Sequence, residues 1–172
     1  MHISVKCSVA LHCLIFISEY GEQRRVTSQL LAKSTGVNPV TIRTILSALK
    51  KAGIVEVRPG TGGATLALPP EQIDVFTVTK ALEPDFLSKL IGVHASPSDL
   101  CPVGRNIHEV LDDTYETVRE DLCHSLKGIT LADVLARYQE TLVQEAQGER
   151  DGSSAEAGSC VSSDVGDMSA TV

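Results

Sequence analysis

Hydrophobic positions recur at helical spacing over the first part of the chain. From Ser4 to Tyr20 the sequence is apolar on most sides, which predicts a helix buried against more than one neighbour. A polar loop follows, after which Thr27 or Ser28 can cap a short second helix. That helix ends at a turn, residues 35–37, whose glycine permits a sharp corner between two helices.

A third helix begins directly after this turn. Asn38 is a favourable capping residue, and Pro39 at the first helical position loses no hydrogen bond. The pattern predicts a helix that runs to Ala52 and stops at Gly53. Its apolar positions fall on one face, which we expect to pack on the core: Ile42, Ile45, Leu46 and Leu49. The opposite face presents Val40, Thr44, Ser47 and Lys51, flanked by Thr41 and Arg43.

A glycine-rich hairpin follows the third helix. Two short strands are predicted at Ile54–Val57 and Thr65–Leu68. The tip between them contains Pro59, Gly60, Gly62 and Gly63. Three helices followed by such a hairpin predict a winged helix-turn-helix domain over residues 1–82, which closes with a short helix at Ile73–Leu82. The expected fold class is mainly α with a small β-wing, plus a long dimerisation helix.

The second half of the chain has a different pattern. Residues 83–101 are predicted to be an irregular connecting loop that serves as an effector region. From Pro102 to Leu126 one long helix carries a narrow apolar seam on a charged background: Ile107, Leu111, Tyr115, Val118, Leu122 and Leu126. Because so narrow a stripe on so long a helix requires a partner, we expect homodimerisation. A last helix is predicted at Thr130–Glu145, which completes a region 102–147, and the composition of 148–172 predicts a disordered tail.

Charge is distributed unevenly along the chain. The net charge is -7, but residues 1–80 carry +4 and the remainder carries -11. A basic N-terminal segment joined to an acidic C-terminal segment is expected when only the first of them contacts phosphate. We therefore predict double-stranded DNA as a partner, read by Val40, Thr41, Arg43 and Thr44 at base edges. Phosphate contacts are expected from Thr27, Ser28, Lys50, Lys51 and Arg58. The predicted interface also includes Asn38, Gly60, Gly62 and Gly63.

The apolar run and the cysteines bear on compartment. Residues 9–17 are too few to span a bilayer and no cleavage site follows, so we expect a cytoplasmic protein without membrane contact. The five cysteines are odd in number and irregularly spaced, which favours a reducing compartment. Cys7 and Cys13 lie on the apolar first helix and are predicted to belong to the core.

Three segments together resemble a known family. They are SVKCSVALHCLIFIS at the N-terminus, TSQLLAKSTGVNPVTIRTILSALKKAGIVEVRPGTGGATLALPPEQI through the turn and wing, and CPVGRNIHEVLDDTY before and into the long helix. The chain resembles the Rrf2 family of bacterial transcription regulators from residue 1 to about 145, in the branch marked by NPV-x-IR and CPVG. The resemblance implies a dimer with crossed long helices, which places two winged domains on a palindromic operator, usually as a repressor.

The resemblance also raises the question of an effector. Cluster-binding members carry three closely spaced cysteines before the long helix, whereas this chain has only Cys101 there. An iron–sulfur cluster needs about four soft ligands, so we predict no cofactor. Cys101 precedes Pro102 at a helix N-terminus, where a thiol becomes more reactive, and it is either a redox switch or a small packing residue. A metal bound by His94, Cys101 and His108 matches no compact ligand spacing.

Two other functions compete with DNA binding. A dimeric interaction module could use the helix-turn-helix scaffold without DNA, binding another protein through residues 84–101 and the acidic C-terminal half. An enzyme could use Cys101 with a histidine, but no group that orients the base and no oxyanion donors can be named, so we predict no enzymatic activity. The effector of a regulator is expected to be a small molecule, a redox signal or a protein.

Overall fold

The computed structural model describes residues 5–58 and 62–156, with side chains up to residue 147. These residues are mostly helical with one hairpin, which confirms the predicted mainly α fold with a small β-wing. Its elements are α1 Val5–Tyr20, α2 Ser28–Thr35, α3 Pro39–Lys51, β1 Val55–Arg58, β2 Gly63–Leu66, a 3-10 turn Pro70–Gln72, α4 Val75–Leu82, α5 Phe86–Leu90, α6 Pro102–Lys127 and α7 Leu131–Glu156. Within the described ranges, no helix is long and apolar enough to cross a membrane.

The helix-turn-helix corner forms where the sequence predicts it. The Thr27 side chain accepts a hydrogen bond from the Leu30 N–H at 3.2 Å, so Thr27 rather than Ser28 caps α2. Gly36 ends α2 with a φ of 70°, a left-handed conformation that glycine adopts at little cost. The Asn38 side chain then accepts from the Val40 N–H at 2.8 Å and starts α3. Two local caps and one glycine therefore determine the angle at which α3 leaves α2.

The wing is an antiparallel pair whose register runs from Val55 opposite Leu66 to Arg58 opposite Gly63. Both strands are displaced from the predicted ranges, and β2 starts two residues earlier. The reason lies at Gly63, which is buried and has a φ of 81°. The Ala64 N–H donates to the Val26 carbonyl at 2.9 Å, which ties the start of β2 to the loop before α2. Tip residues 59–61, including predicted Gly60, lie outside the described residues.

The hydrophobic core lies between α1, α2, α3, the hairpin and α4. The predicted inward face of α3 is confirmed, since Ile42, Ile45, Leu46 and Leu49 are all buried. The segment after α6 also joins the core: Leu131 is fully buried and its N–H donates to the Ile73 carbonyl at 2.7 Å. Of the two cysteines predicted in the core, Cys13 is fully buried. Cys7 is half-buried at the edge, with its sulfur 3.1 Å from the Thr79 hydroxyl.

The second half departs from the predicted secondary structure in two places. The connecting loop contains a short helix, α5, whose Phe86 ring packs edge-on against Phe76 at 5.9 Å. Helix α7 runs to Glu156, past the predicted end at Glu145 and into the segment predicted as a tail; residues 157–172 lie outside the description. The chain divides into two compact units between Leu135 and Ala136, and the domain boundaries given above stay predictions. Helix α4 contacts α1, α3 and α6.

Candidate nucleic-acid interface

The outer face of α3 is the surface that the winged fold leaves open. Val40, Arg43, Thr44, Ser47 and Lys51 are all exposed on the side of α3 opposite the core. Val40 is 61% exposed, whereas the isoleucines and leucines of α3 are all buried. Thr41 is half-buried at the flank of this face. We refer to the five exposed residues as the α3 outer face.

A groove runs along one side of the α3 outer face, between α3, the start of α2 and the wing. Four basic side chains line this groove, and none of the described lining residues is acidic. It is lined by Arg25, Val26, Thr27, Ser28, Arg43, Leu46, Ser47, Lys50, Val57, Arg58, Gly63 and Ala64. We call it the basic groove. Because it combines local positive charge with hydroxyl donors, it matches the chemistry of a phosphate backbone.

Hydrogen bonds within the chain hold several of these side chains in place. The Arg43 Nε donates to the Pro39 carbonyl at 3.2 Å, and the Thr44 hydroxyl donates to the Val40 carbonyl at 3.1 Å. Lys50 reaches from α3 to β1, where its Nζ lies 3.4 Å from the Val57 carbonyl oxygen. These bonds reduce the rotamer freedom that each side chain would otherwise lose on binding a ligand.

The predicted phosphate-binding residues do not all lie together. Thr27, Ser28, Lys50 and Arg58 line the basic groove, whereas Lys51 lines a second groove on the other side of α3. That second groove lies against α4 and consists of Val40, Arg43, Thr44, Ser47, Ala48, Lys51 and Ala81. The Arg58 guanidinium is paired with the exposed Glu56 carboxylate at 3.0 Å, so part of its charge is balanced.

The remaining predicted residues of this interface differ in exposure. Asn38 and Gly62 are exposed, but Gly63 is buried, so its backbone packs within the domain instead of facing solvent. Sequence reasoning missed Arg25, which lines the basic groove beside the start of α2. The available signal was its position two residues before a helix-capping threonine, where a long basic side chain is adjacent to the helix N-terminus.

Cys101 lies away from the basic groove, at the start of α6. Its thiol is exposed, and the backbone N–H groups of Gly104 and Val103 hold its pKa below the ordinary value, although no full capping hydrogen bond forms. The rings of His94 and His108 lie 6.5 Å apart between centroids. Within the described part of the chain, no three His, Cys, Asp or Glu side chains are grouped so that they could hold a metal ion.

Helix α6 carries the predicted dimer seam on a surface that the chain itself covers only partly. None of its side chains is buried. Five of the six seam residues are half-buried, and Val118 is 41% exposed. One flank of α6 contacts other elements of its own chain: the Lys127 ammonium lies 5.0 Å from the Phe76 ring centroid, and the Arg119 guanidinium donates to the Ile91 carbonyl at 3.5 Å. The seam therefore presents apolar area without a complete set of intrachain neighbours.

Comparison with known proteins relates this geometry to characterised groups. The Rrf2 family model, described as iron-dependent transcriptional regulator, matches residues 3–137. YwnA of Bacillus subtilis (strain 168), which carries the name of an HTH-type transcriptional regulator, is 35% identical over 133 residues, covering 77% of this chain and 96% of YwnA. The family match extends from α1 through the wing into α7.

Solved structures give the same assignment. A crystal structure assigned to a DNA-binding protein shares 32% identity, covers 76% of this chain and 98% of its own, and has a TM-score of 0.61. A transcriptional regulator from Lactobacillus plantarum shares 28% identity over 84% of this chain and 98% of its own, with a TM-score of 0.67. The family and YwnA are transcriptional regulators and not enzymes, in agreement with the prediction. The chain is a transcriptional regulator and belongs to the Rrf2 family.

Proposed function

We propose that this regulator binds a palindromic DNA operator sequence-specifically as a homodimer and represses transcription there. The observation that carries the proposal is the α3 outer face beside the basic groove. A helix of this kind fits the major groove, while the wing and the start of α2 reach the backbone on either side. An acidic chain with a net charge of -7 needs such a local concentration of positive charge to approach a polyanion.

In this proposal the α3 outer face reads bases. Arg43 carries the donor geometry that pairs with guanine, and its Nε bond to Pro39 leaves the two terminal nitrogens for such a contact. Val40 offers an exposed apolar surface to a thymine methyl, and Thr44 and half-buried Thr41 complete the predicted set. Lys50, Arg58 and the hydroxyls of Thr27 and Ser28 bind phosphates in the basic groove. Lys51 contacts a phosphate on the α4 side.

The proposed dimer is built on α6. Its seam is half-exposed in the single chain, and packing against the same seam of a second copy would remove that apolar surface from water. A two-fold dimer presents two copies of α3, which suits a palindrome whose half-sites lie about one helical turn, roughly 34 to 36 Å, apart. Repression follows if the bound dimer occupies a promoter.

The proposed signal acts through Cys101 instead of iron. The family description names iron, but Cys101 is the only cysteine between residues 14 and 122, and the described residues contain no group of three His, Cys, Asp or Glu side chains that could hold a metal. An exposed thiol with a lowered pKa is more often in the reactive thiolate form. Oxidation there adds a polar group at the first turn of the dimerisation helix, which would alter how two copies of α6 cross.

The experiment that tests the proposed function is a titration of fluorescent duplex DNA with the full chain at several salt concentrations. We expect binding whose logarithmic affinity falls linearly with the logarithm of salt concentration, because the protein displaces counterions from phosphates. Affinity for the preferred duplex should exceed that for a scrambled one by about a thousandfold or more. Absence of binding at low salt would contradict the proposal and favour a protein-interaction module.

A further inference from the structure

Two adjacent arginines precede α2, and the fold places their side chains in different surroundings. The Arg24 guanidinium stacks on aromatic rings of α1, with its carbon 4.4 Å from the Tyr20 centroid and 5.2 Å from the Phe16 centroid. Arg25 instead lines the basic groove. Within the described residues, no acidic side chain forms a salt bridge with Arg25. The positive charges of Arg24 and Arg25 therefore lie on different surfaces of the domain.

The backbone and a glycine together position Arg25. The Val26 carbonyl accepts a hydrogen bond from the Ala64 N–H at 2.9 Å, which attaches the loop to the start of β2. A β-carbon added to Gly63 would lie 2.8 Å from the Val26 oxygen and 3.0 Å from the Arg25 Cγ. The stem of Arg25 therefore packs closely over the one residue of β2 that has no side chain. Any larger residue at position 63 would displace the loop, the Arg25 stem or both.

The four basic side chains of the basic groove are held in different ways. Lys50 donates to the Val57 carbonyl at 3.4 Å, Arg43 donates through its Nε to Pro39, and Arg58 is paired with Glu56. Arg25 has its stem fixed by packing but no charged partner in the described chain. A guanidinium held in this way is well placed to bind a phosphate in two-pronged fashion.

We infer that Arg25 binds a DNA phosphate and that Gly63 is the residue that positions the Arg25 side chain. The loop before α2 is then a third segment of the interface, beside α3 and the wing. The inference rests on the proposed function, because it assumes that duplex DNA occupies the basic groove. It assigns Gly63 a role in arranging a neighbouring side chain, and it assigns Arg24 to the stability of the domain.

The test compares Arg25→Ala with Arg24→Ala, which remove the same charge from adjacent positions. Fluorescence anisotropy with duplex DNA over a range of salt measures both affinity and salt slope. We expect Arg25→Ala to lower affinity about tenfold on preferred and scrambled duplexes alike. Its salt slope should fall by about 0.9, the contribution of one phosphate. Arg24→Ala should keep the wild-type slope and lower the melting temperature, because it loses the ring stacking.

Two further variants separate contact from charge. Arg25→Lys keeps the charge but not the planar fork, so it should retain the salt slope while recovering only part of the affinity. Gly63→Ala changes no charge, yet it should reduce affinity and slope as Arg25→Ala does, with the double variant no worse than either single variant. Circular dichroism of Gly63→Ala should match that of the wild type, which would show that the variant is folded and that its loss of binding is not a loss of folding.

The possible results distinguish this inference from the function on which it rests. If wild-type protein fails to bind duplex DNA at all, the proposed function is wrong. If wild type binds but Arg24→Ala and Arg25→Ala lower affinity and slope equally, the effect is one of overall charge and Arg25 is not a specific contact. An unchanged slope in Arg25→Ala with normal wild-type binding would also overturn the inference.

Discussion

The winged region and helix α6 differ in how much of their apolar surface the chain itself buries. All the buried hydrophobic side chains in the described ranges lie between residues 10 and 78, apart from Leu131. Helix α6 is longer than α1, α2, α3 or α4, which supply most of this core, yet it buries no side chain of its own. The first region is complete within one chain, whereas α6 leaves a half-exposed seam along its length.

This difference assigns the two regions different kinds of stability. A core such as that around Leu49 gains its packing energy when one chain folds, independently of protein concentration. A seam such as that of α6 gains most of its energy only when a second surface covers it, so its contribution depends on concentration. The comparison predicts that substitutions in the two regions fail in different ways, and the following experiments are designed to detect this.

The largest expected effect comes from charges in the α6 seam. Leu111→Asp and Leu122→Asp each place a carboxylate where the proposed dimer excludes water, at a cost of about 3 to 5 kcal/mol. We expect both variants to be monomers by light scattering, to keep a folded winged region, and to lose tight operator binding.

Thr117→Asp is the matched control for these seam variants. It adds the same charge to the same helix, at an exposed position on the side away from the seam. This variant should remain dimeric. If Leu111→Asp and Leu122→Asp also remain dimeric, α6 is not the dimer interface and the contrast drawn above does not hold.

A truncation in the core should cost nearly as much free energy. The loss should appear in the unfolding of the single chain. Leu49 is fully buried, and Leu49→Ala leaves a cavity that costs about 2 to 5 kcal/mol of unfolding free energy. Chemical denaturation should show the same loss at every protein concentration. Leu111→Ala, at a half-buried seam position, should instead show a loss that depends on protein concentration. Concentration dependence in both variants, or in neither, would contradict the comparison.

A smaller effect is expected from substitutions on the α3 outer face, which should change DNA binding and leave the packing of the core unchanged. Arg43→Ala should cost about 1 to 3 kcal/mol of binding to the preferred operator and remove preference at one position in each half-site. Thermal stability should be unchanged because the side chain is exposed. A uniform affinity loss on all sequences would reassign Arg43 to a phosphate.

The smallest expected effect concerns the reactivity of two thiols, one from each region. Burial raises the pKa of Cys13 to about 11, while the backbone N–H groups of Gly104 and Val103 lower the pKa of Cys101. Because the thiolate is the reactive form, lowering the pH from 9 to 7 should slow alkylation of Cys101 less than that of an ordinary thiol. Peptide mass spectrometry should find Cys101 labelled first and Cys13 last; labelling of Cys13 before Cys101 would contradict this order.

Oxidation provides the functional counterpart of that measurement. If Cys101 is the sensor, peroxide should release wild-type protein from its operator, reductant should restore binding, and Cys101→Ser should bind under both conditions. Oxidant sensitivity that persists in Cys101→Ser would move the sensor to Cys7, to Cys13 or to Cys123, which is half-buried on α6. An insensitive wild type would exclude a thiol switch and leave DNA binding unaffected.

The sequence predicted most of what local interactions determine. Capping at Asn38 and the apolar spacing of α3 depend on residues a few positions apart, and both predictions are confirmed. The wing strands were displaced because the start of β2 depends on a distant partner, the Val26 carbonyl. Helix α5 was missed because its contact, between Phe86 and Phe76, crosses between elements.

The candidate site was predictable to the same extent and for the same reason. The α3 outer face follows from helical period alone, so Val40, Arg43 and Thr44 could be read directly. The basic groove is assembled from three separate elements, and only the fold brings Arg25 to Lys50 and Arg58 while sending Lys51 to the other side of α3. Likewise, the burial of Gly63 could not be inferred from a glycine-rich tip.

The central claim is that the α3 outer face of a homodimer reads a palindromic operator. Selection of bound duplexes from random DNA by the reduced, full-length chain tests it most directly, with Arg43→Ala selected in parallel. We predict enrichment of an inverted repeat whose half-sites lie about 10 base pairs apart from centre to centre, and loss of one position per half-site in the variant. Sequences without two-fold symmetry, or no enrichment over the input, would contradict the claim.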